Sequence, residues 1–218
     1  MKNQVIVIGL GRFGSSVARS LYNLGHDVLA IDIDEERVHN MMGQVTHPVT
    51  GNATNEEMLK ELGISEYDAA VVSIGNDLVA SVMTCVLLKT MNIKYIVARA
   101  HDELHLNTLE RLGVDKVIQA ESEMGTRVAH NLFNPNLQEY LELVPNYGFS
   151  KIKTPEKWGN KTLKELGFSG PRDKYGLAIL AIQHGSNITL NPDTNERLNT
   201  GDVLIIAGKD QLIENLTS

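Results

Sequence analysis

A β-branched run that ends in three spaced glycines constrains the fold of this chain more than any other feature. Residues 5–8 read Val-Ile-Val-Ile, and residues 9–14, Gly-Leu-Gly-Arg-Phe-Gly, follow without a gap. A strand, a glycine turn and a helix start in this order are typical of a nucleotide-binding βα unit. Gly9 permits the tight turn, Gly11 lets a pyrophosphate approach the backbone, and Gly14 lets the helix pack close to the strand. An ordinary βα turn is the alternative interpretation.

Short apolar strands and helices alternate from this turn to about residue 133. The predicted strands are residues 5–8, 28–31, 46–49, 69–73, 95–98 and 114–119, and the last helix of this region is predicted over 121–133. All-apolar strands separated by helices of about 10–15 residues indicate a parallel sheet that is covered on both faces. We therefore predict an α/β fold, with a doubly wound parallel-sheet Rossmann domain over residues 1–136.

The pattern changes after residue 136. We predict a linker helix or crossover over residues 137–147 and a small α+β domain over residues 148–218. The predicted strands of this domain are residues 148–152, 177–182, 187–190 and 203–207. A core of about 70 residues is marginal by itself, so this domain is expected either to pack within an oligomer or to dock on another surface.

Composition narrows the class of protein. The chain has 218 residues, of which 42% are hydrophobic and 22% charged, as in folded globular proteins. Its net charge of −7 argues against a nucleic-acid partner. The single cysteine, Cys85, excludes an intramolecular disulfide and is expected to be buried. No apolar run reaches the roughly 18–20 residues of a membrane span, and no signal peptide precedes the first strand. We therefore expect a cytoplasmic protein.

Asp32 ends the second predicted strand, about 20 residues beyond the glycines. A carboxylate at this place accepts hydrogen bonds from ribose hydroxyls and repels a 2′-phosphate. The alternative role is that of a helix cap, for which Asp34 is better placed. We assign Asp32 to the ribose of NAD(H), ADP or ATP rather than NADP(H), and we count its neighbour Ile33 among the cofactor-binding residues.

Arg12, followed by Phe13, is the unusual residue of the glycine turn. Its planar guanidinium suits a terminal phosphate, or a partner subunit. The alternative is a solvated arginine, which the positive end of the helix dipole slightly disfavours. Because open α/β sheets bind ligands at the carboxyl ends of their strands, further binding residues are expected after strands three to five. These are Asn52, Ala53, Thr54, Ile74, Gly75, Asn76 and Arg99.

No catalytic or metal-binding motif emerges from the residues themselves. His101 and His105 are four residues apart, but the zincin pattern needs Glu after the first histidine, where this chain has Asp102. We interpret the pair as a solvated helix face. Glu121 opens the last helix of the first domain, where an acid favours the helix dipole. Motifs of serine nucleophiles are lacking, so we expect a protein that is not an enzyme.

A family resemblance is carried by residues 9–14, Asp32, 51–54, 73–76 and 121–125 in the first domain, and by 163–166, 172–176 and 199–205 in the second. These motifs resemble the RCK (KTN) domains of Ktr/Trk potassium-uptake regulators, above all the KtrA type with one RCK unit per chain. The resemblance covers nearly the whole chain. It implies a homo-oligomer, commonly an octameric ring of dimers, bound to the cytoplasmic face of a membrane potassium-translocating subunit.

The resemblance also implies ligands and roles. ATP and ADP, and often NADH, compete for the Rossmann cleft of such proteins. Arg12 matches an arginine that reaches the γ-phosphate, Asp32 matches the acid that holds ribose, and Glu121 matches a glutamate that helps to coordinate a divalent cation (Mg or Ca). Several relatives bind cyclic di-AMP between two C-terminal domains. Residues 167–171 are longer than the usual pattern here, and the corresponding ligand residues are Arg172, Tyr175 and His184.

The sequence leaves one alternative function. A small NAD(H)-dependent oxidoreductase would also need the glycine turn and Asp32. Such an enzyme requires a substrate pocket and usually a proton donor beside the nicotinamide, and the second domain offers no such set of residues. We therefore favour a regulatory subunit of potassium uptake.

Overall fold

The computed structural model describes residues 2–132, 137–168 and 176–217. The chain forms two compact units, Met1–Glu121 and Ser122–Ser218. The predicted domain boundary at residue 136 falls outside the described residues and stays a prediction.

The first unit is built on a six-stranded sheet in which all paired strands run parallel. Its strands are β1 (Gln4–Ile8), β2 (Asp27–Asp32), β3 (His47–Thr50), β4 (Ala69–Val72), β5 (Ile96–Arg99) and β6 (Lys116–Ile118). They lie in the order β3-β2-β1-β4-β5-β6. The predicted doubly wound α/β fold is confirmed.

Helices connect these strands. They are α1 (Arg12–Asn23), α2 (Glu35–His39), α3 (Glu56–Glu61), α4 (Leu78–Thr90) and α5 (Glu103–Arg111), and a further helix, α6 (Ala120–Leu132), follows β6. Four of them begin after an acid or amide whose side chain accepts hydrogen bonds from the first turn. These caps are Asp34, Asn55, Asp77 and Asp102. They satisfy backbone donors that have no partner within the helix.

Both faces of the parallel sheet are buried, as β1 illustrates. Ile6 and Ile8 pack into one apolar cluster together with Leu88 of α4. Val5 and Val7 pack into a second cluster with side chains of α1 and α2. Because successive strand residues point to opposite faces, a wholly apolar β1 requires helices on both sides.

The winding of the chain reverses between β1 and β4. From β1 the chain proceeds outward through β2 and β3, and β4 then returns to the other side of β1. The loops that follow β1 and β4 therefore leave the sheet toward opposite faces. They open a crevice at the carboxyl edge, where sheets of this type bind ligands.

The second unit contains a five-stranded antiparallel sheet in the order β10-β9-β11-β8-β7. Its elements are β7 (Leu137–Val144), β8 (Tyr147–Lys153), α7 (Leu163–Leu166), β9 (Ala178–His184), β10 (Asn187–Leu190), β11 (Val203–Lys209) and α8 (Asp210–Thr217). Its core includes Trp158, whose ring meets Phe168 edge-on with centroids 5.6 Å apart. The predicted small α+β module is confirmed.

The predicted linker helix over residues 137–147 is wrong. Leu137–Val144 forms β7 and pairs with β8 through a tight turn in which Asn146 has a φ of 69°. Tyr140 is buried, and its hydroxyl donates a hydrogen bond to Asp210 at 2.9 Å. The leucines of this segment fit a helix as well as a strand. Residues 137–144 become a strand because their backbone pairs with β8.

Two smaller predictions concern Cys85 and membrane spans. Cys85 is fully buried in α4, and burial raises the pKa of its thiol to about 12. The thiol therefore stays protonated and unreactive near neutral pH. None of the helices in the described part of the chain has the length and apolar character that crossing a bilayer needs.

Candidate functional site

The glycine turn between β1 and α1 is held by close backbone packing. Gly9 has a φ of +89°, and a Cβ there would lie 2.9 Å from the Ser73 carbonyl. A Cβ on Gly14 would collide with the carbonyl oxygen of Gly9. A Cβ on Gly11 would meet nothing within 4 Å. Gly9 and Gly14 are therefore required by the fold, whereas Gly11 leaves open space beside the turn.

Asp32 is buried at the end of β2 and binds the glycine turn. Its Oδ2 accepts a hydrogen bond from the backbone N–H of Leu10 at 2.5 Å, and its Oδ1 accepts one from Asp34 at 2.9 Å. Arg37 Nη1 lies 3.6 Å from Oδ2. The cap of α2 is Asp34, as expected. A carboxylate has about four acceptor positions, so Asp32 retains capacity for ribose hydroxyls.

A cavity of about 360 Å³ opens beside the turn, between α1 and α2. Three arginines are among the residues that line it, Arg12, Arg19 and Arg37. Arg37 lies close to two carboxylates, and Arg19 donates hydrogen bonds to Gln44 and Ser15. Arg12 is exposed and has no ion pair with any residue that the structure describes. An unpaired arginine at this place is suited to an anion.

Sequence reasoning missed Arg19 and Arg37. Their position beside the cavity depends on how α1 and α2 pack, because Arg19 lies two turns beyond Arg12 on α1 and Arg37 lies on α2. The remaining lining residues are Leu10, Gly11, Ser15, Asn40 and Met41.

The other predicted binding residues also lie at the carboxyl edge but do not line this cavity. Asn52 Oδ1 accepts hydrogen bonds from both the backbone and the hydroxyl of Thr54, and Ala53 is part of the core. Ile33 is exposed. The remaining members of this group are Phe13, Ile74, Gly75 and Asn76, of which Phe13 and Ile74 pack against the core clusters. Their role in binding stays a prediction.

Arg99 and Glu121 form a two-pronged ion pair. Arg99 Nη2 lies 2.5 Å from Glu121 Oε1, and Nε donates to Oε2 at 3.3 Å. A Cβ on Gly75 would lie 2.8 Å from Arg99 Nη1, so the glycine makes room for the guanidinium. Desolvation raises the pKa of Glu121, but its own backbone N–H and Arg99 outweigh this and hold the pKa below its usual value.

The described residues do not fit a self-contained divalent-cation site at Glu121. Both oxygens of the carboxylate face Arg99. Across residues 2–132, 137–168 and 176–217, no three His, Cys, Asp or Glu side chains come together as a metal ion would require. A cation at Glu121 would also lie beside the positive charge of Arg99, which repels it.

The expectation of a solvated His101–His105 face is wrong for His105. His105 is buried, and its Nδ1 accepts a hydrogen bond from the backbone N–H of His101 at 3.2 Å. Desolvation lowers the pKa of His105, while Asp102 opposes this effect. Burial thus favours the neutral form of the ring, and Asp102 accepts a hydrogen bond from the backbone N–H of His105 at 2.8 Å.

The predicted second ligand site can be followed only at His184. Arg172 and Tyr175 lie outside the described residues. His184 Nδ1 lies 2.7 Å from buried Asp202, and Nε2 lies 3.6 Å from Glu196. Two carboxylates of the same unit thus flank the imidazole. These contacts orient the ring, and its role toward a ligand stays a prediction.

Two family models match this chain, the TrkA-N domain over residues 5–120 and the TrkA-C domain over residues 150–218. The chain is also 38% identical over 205 residues to Ktr system potassium uptake protein A of Bacillus subtilis, with 94% of this chain and 91% of that protein covered. It belongs to the Ktr family of TrkA-N/TrkA-C proteins. The resemblance inferred from the sequence motifs is confirmed.

A second Ktr protein agrees with this assignment, and a solved structure shares the fold. Ktr system potassium uptake protein A of Vibrio alginolyticus is 32% identical, over 99% of this chain and 97% of that protein. A structure of the GsuK channel bound to NAD superposes with a TM-score of 0.63 at 16% identity, over 97% of this chain and 38% of that chain. At this identity the GsuK likeness concerns the fold alone.

Proposed function

We propose that this chain is a nucleotide-sensing regulatory subunit of a potassium uptake system, which binds ATP and ADP, and also NAD(H), in the crevice of its first unit. The observation that carries the proposal is the glycine turn, held by buried Asp32, beside a cavity that Arg12 lines. Asp32 suits the ribose, and Arg12 suits the phosphates. The full-length likeness to Ktr system potassium uptake proteins supplies the transport role.

Self-association forms part of the proposal. Two helices expose apolar residues at helical spacing: Val79, Met83 and Val86 on α4, and Met124, Val128 and Leu132 on α6. Exposed apolar stripes of this kind favour protein–protein contacts. We infer a homo-oligomer, a dimer that builds an octameric ring, docked on a membrane potassium-translocating subunit from the cytoplasmic side. Light scattering on the purified chain measures the stoichiometry.

Regulation requires that nucleotides distinguish two conformations of the oligomer. A ligand that binds both conformations equally shifts nothing. ATP and ADP differ only in the γ-phosphate, so the residue that contacts this group decides which conformation ATP favours. Arg12 is the candidate, because it is exposed beside the turn and lacks an ion pair among the described residues.

Arg12→Ala is expected to bind ADP nearly as well as the wild type but to lose its preference for ATP. A hydrogen bond to a charged group contributes about 1.5–3 kcal/mol, so ATP affinity should fall about tenfold or more. Isothermal titration with both nucleotides measures the difference. Arg111→Ala, which removes an exposed arginine from the last turn of α5, is the charge-matched control. Equal loss of ATP and ADP would make Arg12 a general phosphate anchor instead of a γ-phosphate sensor.

A thermal-shift panel tests the proposal as a whole. ATP, ADP and NADH at about 100 times Kd should stabilise the chain by about 2.7 kcal/mol, which raises the melting temperature by about 5 °C or more. NADPH should not, because Asp32 repels its 2′-phosphate. A shift with cyclic di-AMP would support the proposed second site at Arg172, Tyr175 and His184, and its lack would contradict that site. No shift with any adenine nucleotide would refute the nucleotide-sensing role, and NADH oxidation at enzymatic rates would favour the oxidoreductase.

A further inference from the structure

The Arg99–Glu121 ion pair lies at the point where the first compact unit ends. Arg99 is the last residue of β5, and Glu121 lies in the first turn of α6. The first unit ends at Glu121 and the second begins at Ser122. The pair therefore ties the start of the connecting helix to the sheet of the first unit.

The two partners of this pair differ in how firmly they are placed. The Arg99 side chain is only 19% exposed, whereas that of Glu121 is 67% exposed. Arg99 lies in the space that Gly75 leaves, against the loop after β4. Glu121 stands at a helix start whose following residues, 122–129, are all exposed. If the pair separates, the guanidinium stays in place and the carboxylate moves into water.

The guanidinium also lies close to the nucleotide crevice. Gly75, which touches it, is two residues beyond Ser73, and Ser73 packs directly against Gly9 and Gly14 of the phosphate turn. Two residues span at most about 7 Å. Arg99 is therefore within reach of a phosphate group that extends along this loop.

We propose that the Arg99–Glu121 pair is a nucleotide-operated latch, in which a phosphate of the bound nucleotide replaces the Glu121 carboxylate on Arg99 and releases the start of α6. The inference rests on the proposed nucleotide site and names a regulation of that site. A phosphate carries more charge than a carboxylate and matches the same planar fork. Because Glu121 is exposed, water compensates for the loss of its partner.

The latch gives Glu121 a role opposite in sign to that of a cation ligand. As a competitor for Arg99, Glu121 weakens nucleotide binding. As a ligand of a nucleotide-bound cation, it would strengthen binding. Titration of ADP in the presence of EDTA removes the cation and isolates the competition.

Glu121→Gln is the variant that tests the latch in the full-length chain. It keeps the side-chain volume and removes the charge that holds Arg99. ADP affinity in EDTA should rise about two- to fivefold, which corresponds to an exposed ion pair. In Glu121→Gln, hydrogen exchange of residues 124–128, whose amides lie beyond the unpaired first turn of α6, should be fast even without nucleotide. In the wild type, the same amides should exchange slowly without nucleotide and faster when ADP is bound.

Glu123→Gln is the matched control, because it removes a charge from the same turn and Glu123 forms no ion pair with the residues that the structure describes. It should behave like the wild type in both measurements. If Glu121→Gln leaves ADP affinity unchanged or lower, or leaves α6 protected, the latch is refuted while wild-type ADP binding still supports the proposed function. If the wild type binds no ADP at all, the proposed function itself fails.

Discussion

Gly14→Ala is expected to destabilise the first unit by about 3 kcal/mol or more and to abolish ATP and ADP binding. Its Cβ would collide with the carbonyl oxygen of Gly9 and approach Ser73 Oγ at 3.0 Å. A backbone oxygen cannot rotate away as a flexible side chain can, so α1 must move off the turn. The melting temperature, followed by circular dichroism, should fall by about 10 °C. Calorimetry should detect no binding of either nucleotide.

Gly11→Ala separates folding from binding within the same motif. Gly11 has a φ of −63°, which alanine adopts readily, and a Cβ there meets nothing within 4 Å. This variant should melt like the wild type. If the pyrophosphate passes over Gly11 as the motif predicts, nucleotide affinity should still fall about tenfold. If Gly14→Ala melted at the same temperature as the wild type, the packing argument would be contradicted. If Gly11→Ala bound nucleotides as tightly as the wild type, the pyrophosphate would have to lie elsewhere.

Asp32→Ala should lower the affinity for every adenine nucleotide about 10- to 100-fold, because hydrogen bonds to a charged group contribute about 1.5–3 kcal/mol. It should also lower stability by about 1–3 kcal/mol, since the backbone N–H of Leu10 loses its buried acceptor. Titration of ATP, ADP and NADH measures the first effect. Chemical denaturation measures the second.

Two neighbouring variants distinguish ribose binding from support of the turn. Asp32→Asn keeps a side-chain oxygen that can accept the hydrogen bond from the Leu10 N–H. Compared with Asp32→Ala, it should therefore regain much of the stability but little of the nucleotide affinity. Asp34→Ala removes the cap of α2, which costs about 1 kcal/mol, and should leave nucleotide affinity unchanged. Normal binding by Asp32→Ala would exclude the ribose role and leave Asp32 as a support of the glycine turn.

The first unit could be predicted from the sequence because each of its signals is local. The apolar run before Gly9 predicts a central strand, and Asp34 predicts the start of α2 without knowledge of any distant residue. The same local reasoning assigns the cap of α2 to Asp34, which is confirmed, and the ribose to Asp32, which stays a prediction.

The features that were missed depend on contacts distant in sequence. β7 becomes a strand through its pairing with β8, while its leucine spacing alone also fits a helix. The burial of His105 depends on which side of α5 faces the interior. Arg37 reaches Asp32 only because α2 folds back over the end of β2. Periodicity within a short segment does not contain this information.

The position of Trp158 has a practical consequence for measuring communication along this chain. It is the single tryptophan, and it is buried among the apolar side chains of the second unit. Its fluorescence therefore reports when that unit melts, whereas helical circular dichroism is dominated by the first unit. If a nucleotide raises both transitions equally, the two units unfold as one cooperative body. If it raises only the helical signal, they unfold separately, and the difference between the two midpoints measures the coupling without any label.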